Sequence, residues 1–248
     1  MENRPLRLIN INCHSIVGKK TEILNLVDST KPDIIVATET WLDSNIKNSE
    51  ILPEDYEVFR KDMNRNGGGV LIAVRKELDC YEVPEFQEDC ELVWARIKLR
   101  GQRTLYICAF YRPDMSDKTS FPLLTASLRK VATINNAHIV IAGDLNFLSW
   151  DWKSIKLKPN GYYPQLHKDL IDTLNDFSLV QVVEEPTRER NTLDLVITNY
   201  PQQIPRIEIL PGLSDHDAVF CEITVTTPKK EVTPKTNTPL KKKQTGVK

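Results

Sequence analysis

An α/β sandwich, with β-sheets packed inside and helices outside, is the fold this 248-residue sequence predicts. Short β-type runs alternate with a few helical ones between residues 6 and 225. The strand signals outnumber the helical ones, and no repeat or internal boundary divides a body whose length suits one domain. The first strand is Leu6-Arg7-Leu8-Ile9-Asn10-Ile11-Asn12, which ends with period-two alternation. After Gly18, a short helix would turn Ile23, Leu24 and Val27 inward. Residues 33–38 and 138–142 are continuous apolar runs, and Val70 to Val74 follows the triplet Gly67-Gly68-Gly69, which suits a tight strand entry. No Gly-Lys-Ser/Thr follows the triplet, so it does not fit a phosphate cradle. Phe121, Leu124, Leu128 and Val131 fall at helical spacing behind Ser120-Phe121-Pro122, and Leu166, Leu170, Ile171, Leu174 and Phe177 do so before Ser178.

Composition narrows the function classes. The chain is 40% hydrophobic and 27% charged, with 33 basic against 34 acidic residues, as a soluble globular protein would be. No stretch approaches the roughly 20 apolar residues of a membrane span, and Met1 is followed by polar Glu2-Asn3-Arg4, which argues against secretion too. Cys13, Cys80, Cys90, Cys108 and Cys221 are scattered with no Cys-x-x-Cys pair, as expected of reduced thiols in an intracellular protein without structural zinc. Charge is uneven: from Thr226 onward seven lysines face only Glu231, a net +6, which leaves the body at −7. The sequence thus divides into a domain over 1–225 and a basic tail over 226–248. Pro228, Pro234 and Pro239 and the lack of apolar periodicity make the tail a flexible extension, either solubilising or touching a phosphate backbone.

Polar groups recur at the ends of the apolar runs. Leu8-Ile9 leads into Asn10 and Asn12, the second run stops at Glu39, and residues 106–110 end at Tyr111. Residues 139–143 end at Asp144 and Asn146, Asp194 sits within Thr192-Leu193-Asp194-Leu195-Val196, and Ser214-Asp215-His216 precedes the last strand. If neighbouring strands share direction, these ends converge on one rim. Four carboxylates, three amides and one imidazole without thiolates form a hard, oxygen-rich set that suits Mg2+, or Mn2+, over zinc. Crowded carboxylates repel one another and a phosphate ester alike, so an acidic site acting on phosphate requires that cation. His216, oriented by Asp194, becomes a proton carrier or phosphate-facing donor. Each group alone is as well explained as a turn, surface or structural residue. Their coincidence at six run ends is what points to a site.

In order, Asn10-Ile11-Asn12, Thr38-Glu39-Thr40-Trp41, Phe110-Tyr111-Arg112-Pro113, Gly143-Asp144-Leu145-Asn146, Thr192 to Val196 and Leu213-Ser214-Asp215-His216 resemble the motifs of the endonuclease/exonuclease/phosphatase superfamily. Within it, Lys31-Pro32-Asp33-Ile34-Ile35, Glu39-Thr40-Trp41-Leu42, Arg65-Asn66-Gly67-Gly68-Gly69-Val70 and Glu185-Pro186-Thr187-Arg188 are similar to the apurinic/apyrimidinic-type endonuclease domain of LINE-like (non-LTR) retrotransposons. The resemblance implies an α+β, four-layered, deoxyribonuclease-I-like sandwich of two packed mixed sheets flanked by helices. It implies a Mg2+-dependent DNA endonuclease, working in the nucleus as a monomer on double-stranded DNA, that leaves a 5′-phosphate and a 3′-hydroxyl to prime reverse transcription. The reverse transcriptase that usually follows is not in this chain, so an isolated domain or truncated frame is expected. Repair-type abasic endonucleases usually carry Asp where Asn12 stands, which argues against a dedicated abasic-site enzyme.

The resemblance also implies roles. Glu39 is the principal metal ligand, with Asn12 and Asp215 near the ion directly or through water. Asp144, held by Asn146 and Asn10, orients or deprotonates the attacking water. His216, paired with Asp194, contacts the scissile phosphate, and Tyr111 lies beside that phosphate or the leaving oxygen. Arg188, Arg190 and Arg65 stand on loops that reach DNA phosphates or a minor groove, or are plain surface arginines, and Thr187 and Ser214 are hydroxyl donors to phosphate. Trp41, Trp150 and Trp152 would stack on bases or pack into the fold, with packing preferred. Two rival functions remain: another phosphoesterase of the superfamily, and a non-catalytic nucleic-acid-binding remnant.

Overall fold

The computed structural model describes residues 4–226, so the basic tail beyond Thr226 lies outside the described residues. In chain order the elements are β1 Leu6–Asn12, α1 Lys20–Thr30, β2 Ile34–Thr38, α2 Asn48–Ile51, β3 Tyr56–Lys61, β4 Val70–Arg75, β5 Cys80–Glu82, β6 Leu92–Lys98 and β7 Thr104–Phe110. They continue as α3 Ser120–Val131, β8 Ala137–Asp144, β9 Trp150–Asp151, β10 Lys156–Leu157, α4 Pro164–Asp176, β11 Val180–Gln181, β12 Asp194–Thr198, β13 Arg206–Leu210 and β14 Ala218–Ile223. The strands form two six-stranded sheets, β13-β14-β1-β2-β4-β3 and β11-β12-β8-β7-β6-β5, with β9 and β10 as a small separate pair. Only β1–β2 and β7–β8 run parallel among the named strand pairs; the rest are antiparallel.

The apolar runs are continuous because the central strands are covered on both faces. Leu8, Val36 and Ile72 of the first sheet meet Val93, Ile107 and Val140 of the second in the core between the sheets. The alternate residues Ile9, Ile11, Ile35 and Ala73 pack outward against Ile23 and Val27 of α1. On the far side, Trp94, Cys108, Ile139 and Ile141 pack against Phe121, Leu124 and Leu128 of α3 and Leu166 and Leu170 of α4. Helix, sheet, sheet, helix is the four-layered α+β sandwich the sequence predicts. The Asp117 carboxylate accepts the Thr119 and Ser120 N–H groups at the start of α3, and these bonds hold its pKa low in spite of partial burial. No helix of the described residues is long and apolar enough to cross a membrane.

Candidate active site

β1 lies in parallel register with β2, placing Asn12 beside Thr38. Alternation along β1 sends Ile9 and Ile11 toward α1 and Asn10 and Asn12 toward the second sheet, where both amides are buried. Across from them β8 ends at Asp144, which pairs in register with Asp194, the first residue of antiparallel β12. Gly143 has φ +146°, and any Cβ there would collide with the Phe110 carbonyl, so glycine lets the ends of β7 and β8 close up.

The Asp144 carboxylate accepts Asn12 Nδ2 at 2.9 Å and the Asn146 backbone N–H at 3.1 Å. His216 Nδ1 stands 2.7 Å from Asp194 Oδ2, and its Nε2 is 4.0 Å from Asp144 Oδ2. Ligand-type atoms of Asp144, Asp194 and His216 all lie within 4.8 Å of one another, and all three residues are buried. Burial, then the charge of Asp194, pushes the Asp144 carboxyl up to about 8 against the pull of His216. For His216, burial works against the charged ring, but the hydrogen bond and charge of Asp194, followed by Asp144, outweigh it and raise its pKa.

Glu39 occupies the turn after β2 with a left-handed φ of +50°. Its Oε1 accepts the Tyr111 hydroxyl at 2.6 Å and its Oε2 the Trp41 indole N–H at 3.0 Å. Burial, then Glu39, raises the Tyr111 pKa, so the phenol stays a donor. The next residue, Arg112, donates its backbone N–H to the Asp144 carbonyl at 3.0 Å, so the chain carrying Tyr111 runs beside the end of β8.

Asp194 and His216 reach the site by a different route from the one expected: β12 begins at Asp194, and β12 and β14 run antiparallel to β8 and β1. Asn10 does not hold the Asp144 carboxylate; its amide donates to the carbonyls of Leu195 at 3.3 Å and Gly143 at 3.5 Å, and Asn12 takes the contact instead. Both asparagines point inward, and the offset between the sheets decides which one meets Asp144. Asn146 contributes its backbone N–H, while its side chain donates to the Arg112 carbonyl. Thr187 is not a surface donor: it is fully buried, and its hydroxyl accepts the N–H groups of Leu193 and Asp194. Ser214 gives its hydroxyl proton to the Asn12 carbonyl and accepts the His216 N–H, tying the His216 loop to β1. Asp215 is half exposed and faces Arg188 Nη2 at 2.6 Å. Arg65 is exposed, 4.0 Å from Asp43.

The model of the endonuclease/exonuclease/phosphatase family matches residues 9–216. The chain belongs to that family. Among solved structures it is similar to the AP endonuclease LMAP from Leishmania major, at 15% identity and TM-score 0.72, covering 89% of this chain and 88% of that one. The endonuclease domain of TRAS1, a telomere-specific non-LTR retrotransposon, matches at 17% identity and TM-score 0.68, covering 90% and 100%. The 3′ phosphatase NExo from Neisseria matches at 15% identity and TM-score 0.67, covering 88% and 99%. These likenesses are of fold. A search of curated proteins finds no match.

Members of this family use divalent metals, and the ligand-type atoms grouped closely enough for such an ion are those of Asp144, Asp194 and His216, a group that does not include the expected ligands Glu39 and Asp215. Asp194 Oδ1 and Asn10 Oδ1 are buried without a hydrogen-bond partner, and two buried carboxylates crowd each other beside them. That donor set is oxygen-rich and lacks thiolate, the chemistry of a hard cation.

Two residues, Arg112 and Glu91, were given no role from the sequence, and Trp41 was weighed only for base stacking or packing. Trp41 belongs to the site through Glu39, and its ring lies 4.8 Å from that of His14. Arg112 was visible in a motif but had no role; it is fully buried and donates to the carbonyls of Leu145, Asn146 and Asp117 around the Asp144 loop. Glu91 is a buried acid just ahead of β6. The run Leu92-Val93-Trp94 was its only signal.

Proposed function

We propose that this domain is a magnesium-dependent endonuclease that nicks double-stranded DNA and leaves a 3′-hydroxyl, the end from which a non-LTR element primes reverse transcription. The observation that carries this reading is the enclosure of Asp144 and the Asp194–His216 pair in one buried cluster, with the Tyr111–Arg112 backbone that meets Glu39 bonded to the end of β8 beside it. Glu39, Asn12 and Asp215 are the residues we propose to hold Mg2+ or Mn2+, which when bound would neutralise phosphate charge and stabilise the charge that develops on its oxygens. Asp144, fixed by Asn12 and the Asn146 N–H, orients an attacking water and takes its proton. Water oxygen then bonds phosphorus as the bond to the 3′ oxygen breaks, and that oxygen takes a proton from solvent water, which yields a 5′-phosphate and a 3′-hydroxyl. His216 presents Nε2 to the phosphate while Asp194 holds the ring by Nδ1 and stabilises its charge. Tyr111 stands beside the leaving oxygen as a protonated phenol. Arg188 and Arg65 serve the flanking phosphates. The retroelement role draws support from the similarity to the TRAS1 domain and from Glu39-Thr40-Trp41-Leu42 and Arg65 to Val70.

Supercoiled plasmid tests this. In Mg2+ the domain should convert it to the open circle, chelator should stop the reaction, and a DNA polymerase should extend the nicked ends directly. Ends that need a phosphatase before extension would overturn the assigned polarity. Phosphate release from 3′-phosphate ends without nicking would reassign the domain to the phosphatase side of its family.

A further inference from the structure

The Thr38 to Trp41 segment that carries Glu39 is clamped from both sides. The loop after β1 donates Cys13, Ser15 and Ile16 N–H groups to the carbonyls of Thr38, Glu39 and Thr40. On the other side, the carbonyls of Gly68 and Gly69 accept the N–H groups of Trp41 at 2.9 Å and Thr40 at 3.2 Å. Glu39 and Trp41 both take left-handed φ, +50° and +55°, a conformation that non-glycine residues keep only where neighbours hold it. The glycine turn is therefore part of what fixes Glu39.

That turn is held in turn by the opposite sheet. Glu91, just before β6, is buried, and its carboxylate accepts the Gly69 N–H through Oε2. A Cβ on Gly68 would meet Glu91 Oε2 at 2.6 Å, so glycine there makes room for the carboxylate, while one on Gly69 would meet Thr40 Oγ1 at 2.5 Å. Both also have left-handed φ, +70° and +88°. The Glu91 backbone carbonyl accepts the Tyr111 N–H at 2.9 Å. One residue thus touches the turn behind Glu39 with its side chain and the Tyr111 backbone with its main chain, and the Tyr111 hydroxyl closes the circuit on Glu39 Oε1 at 2.6 Å.

We infer that Glu91 is a positioning residue, which braces the Gly68–Gly69 turn from the second sheet and so sets the Glu39 carboxylate against Tyr111 in a geometry suited to a divalent cation. This rests on the proposal that Glu39 is the principal cation ligand. A buried carboxylate spent on one backbone N–H is an expensive way to tie a loop; registering two site residues across the sheets is what it gains. The requirement is an acceptor oxygen at the Oε2 position, so glutamine, which keeps that oxygen, should serve nearly as well.

The test is Mn2+ binding, measured by titration calorimetry without DNA, together with the Mg2+ concentration for half-maximal plasmid nicking. Glu91→Ala should weaken Mn2+ binding and raise the Mg2+ requirement by about tenfold, the usual scale for loss of a ligand's support, while saturating Mg2+ recovers most of the maximal rate. Glu91→Gln should stay within about threefold of the parent. Should Glu91→Ala fail to fold, Gly68→Ala, whose Cβ displaces the same carboxylate, carries the prediction with Glu91→Gln as the control. Parental metal affinity in Glu91→Ala or Gly68→Ala, or equal losses in the Ala and Gln variants, would overturn the inference. Glu39→Ala separates this failure from that of the parent proposal: if it leaves Mn2+ binding unchanged, Glu39 is no ligand and the functional assignment fails first.

Discussion

Asp144 is a buried carboxyl at the end of β8. Its carboxyl is raised to about 8 by burial and by Asp194, against an ordinary value of 3.8. Because the folded state binds this proton more tightly than the unfolded chain, Asp144 costs no stability below about pH 4 and an increasing amount as pH rises toward 8. Asp144→Asn keeps one acceptor oxygen, for either Asn12 or the Asn146 N–H, and cannot ionise. In chelator it should therefore gain on the parent as pH rises from 5 to 8, by a few kcal/mol at most or roughly 5–10 °C in melting temperature. Thermal melts at the two pH values check this, and an unchanged gap would contradict it. His216 has the opposite dependence on its partner. Asp194 raises its pKa, so Asp194→Asn should shift the alkaline limb of the nicking rate to lower pH, since less of the imidazole then stays protonated. A pH–rate profile with an unmoved limb would separate Asp194 from the role assigned to it.

At the level of elements, the Asp144 loop hangs on Arg112. Its guanidinium sits 4.3 Å over the Phe147 ring and supplies three backbone carbonyls, those of Leu145, Asn146 and Asp117, from a fully buried position. Arg112→Met fills similar space but leaves those carbonyls unpaired, which should cost about 3 kcal/mol or roughly 10 °C. Arg112→Lys should recover only part, because an ammonium cannot reproduce the fork. Denaturant unfolding measures both, and a loss under 1 kcal/mol in Arg112→Met would refute the clamp. Much at this scale was legible in the sequence. β2, β4, β7 and β8 announce themselves because burial on both faces demands near-continuous apolar runs, β1 by its period-two alternation, and α1, α3 and α4 because one face is buried at helical spacing. Edge strands β3 and β13 are half exposed and carry mixed sequences, Tyr56-Glu57-Val58-Phe59-Arg60-Lys61 and Arg206-Ile207-Glu208-Ile209-Leu210, so they gave no such signal. The identity of the residues facing the site was legible for the same reason, since acids and amides at run ends are out of place in a core. Their partners were not. Whether Asn10 or Asn12 meets Asp144, and whether the Thr187 hydroxyl faces solvent or the Asp194 N–H, depends on the offset between strands far apart in the chain, which no local pattern records.

For the whole molecule, the sandwich works by packing two sheets face to face so that strand ends and loops of both meet at one end. The first sheet supplies Asn12, Glu39 and His216, the second Tyr111, Asp144 and Asp194, and the connections between strands hold them there. A body of net charge near −7 has little general attraction for DNA, so under the proposed function contact would fall to Arg188, Arg65 and the proposed cation. Function then depends on both halves at once. The most direct test is single-turnover nicking of a duplex in saturating Mg2+ by Glu39→Ala and His216→Ala, each checked for parental folding. Loss of at least two to three orders of magnitude in both variants is the predicted result, and a cleavage rate equal to the parent's in either would contradict the account.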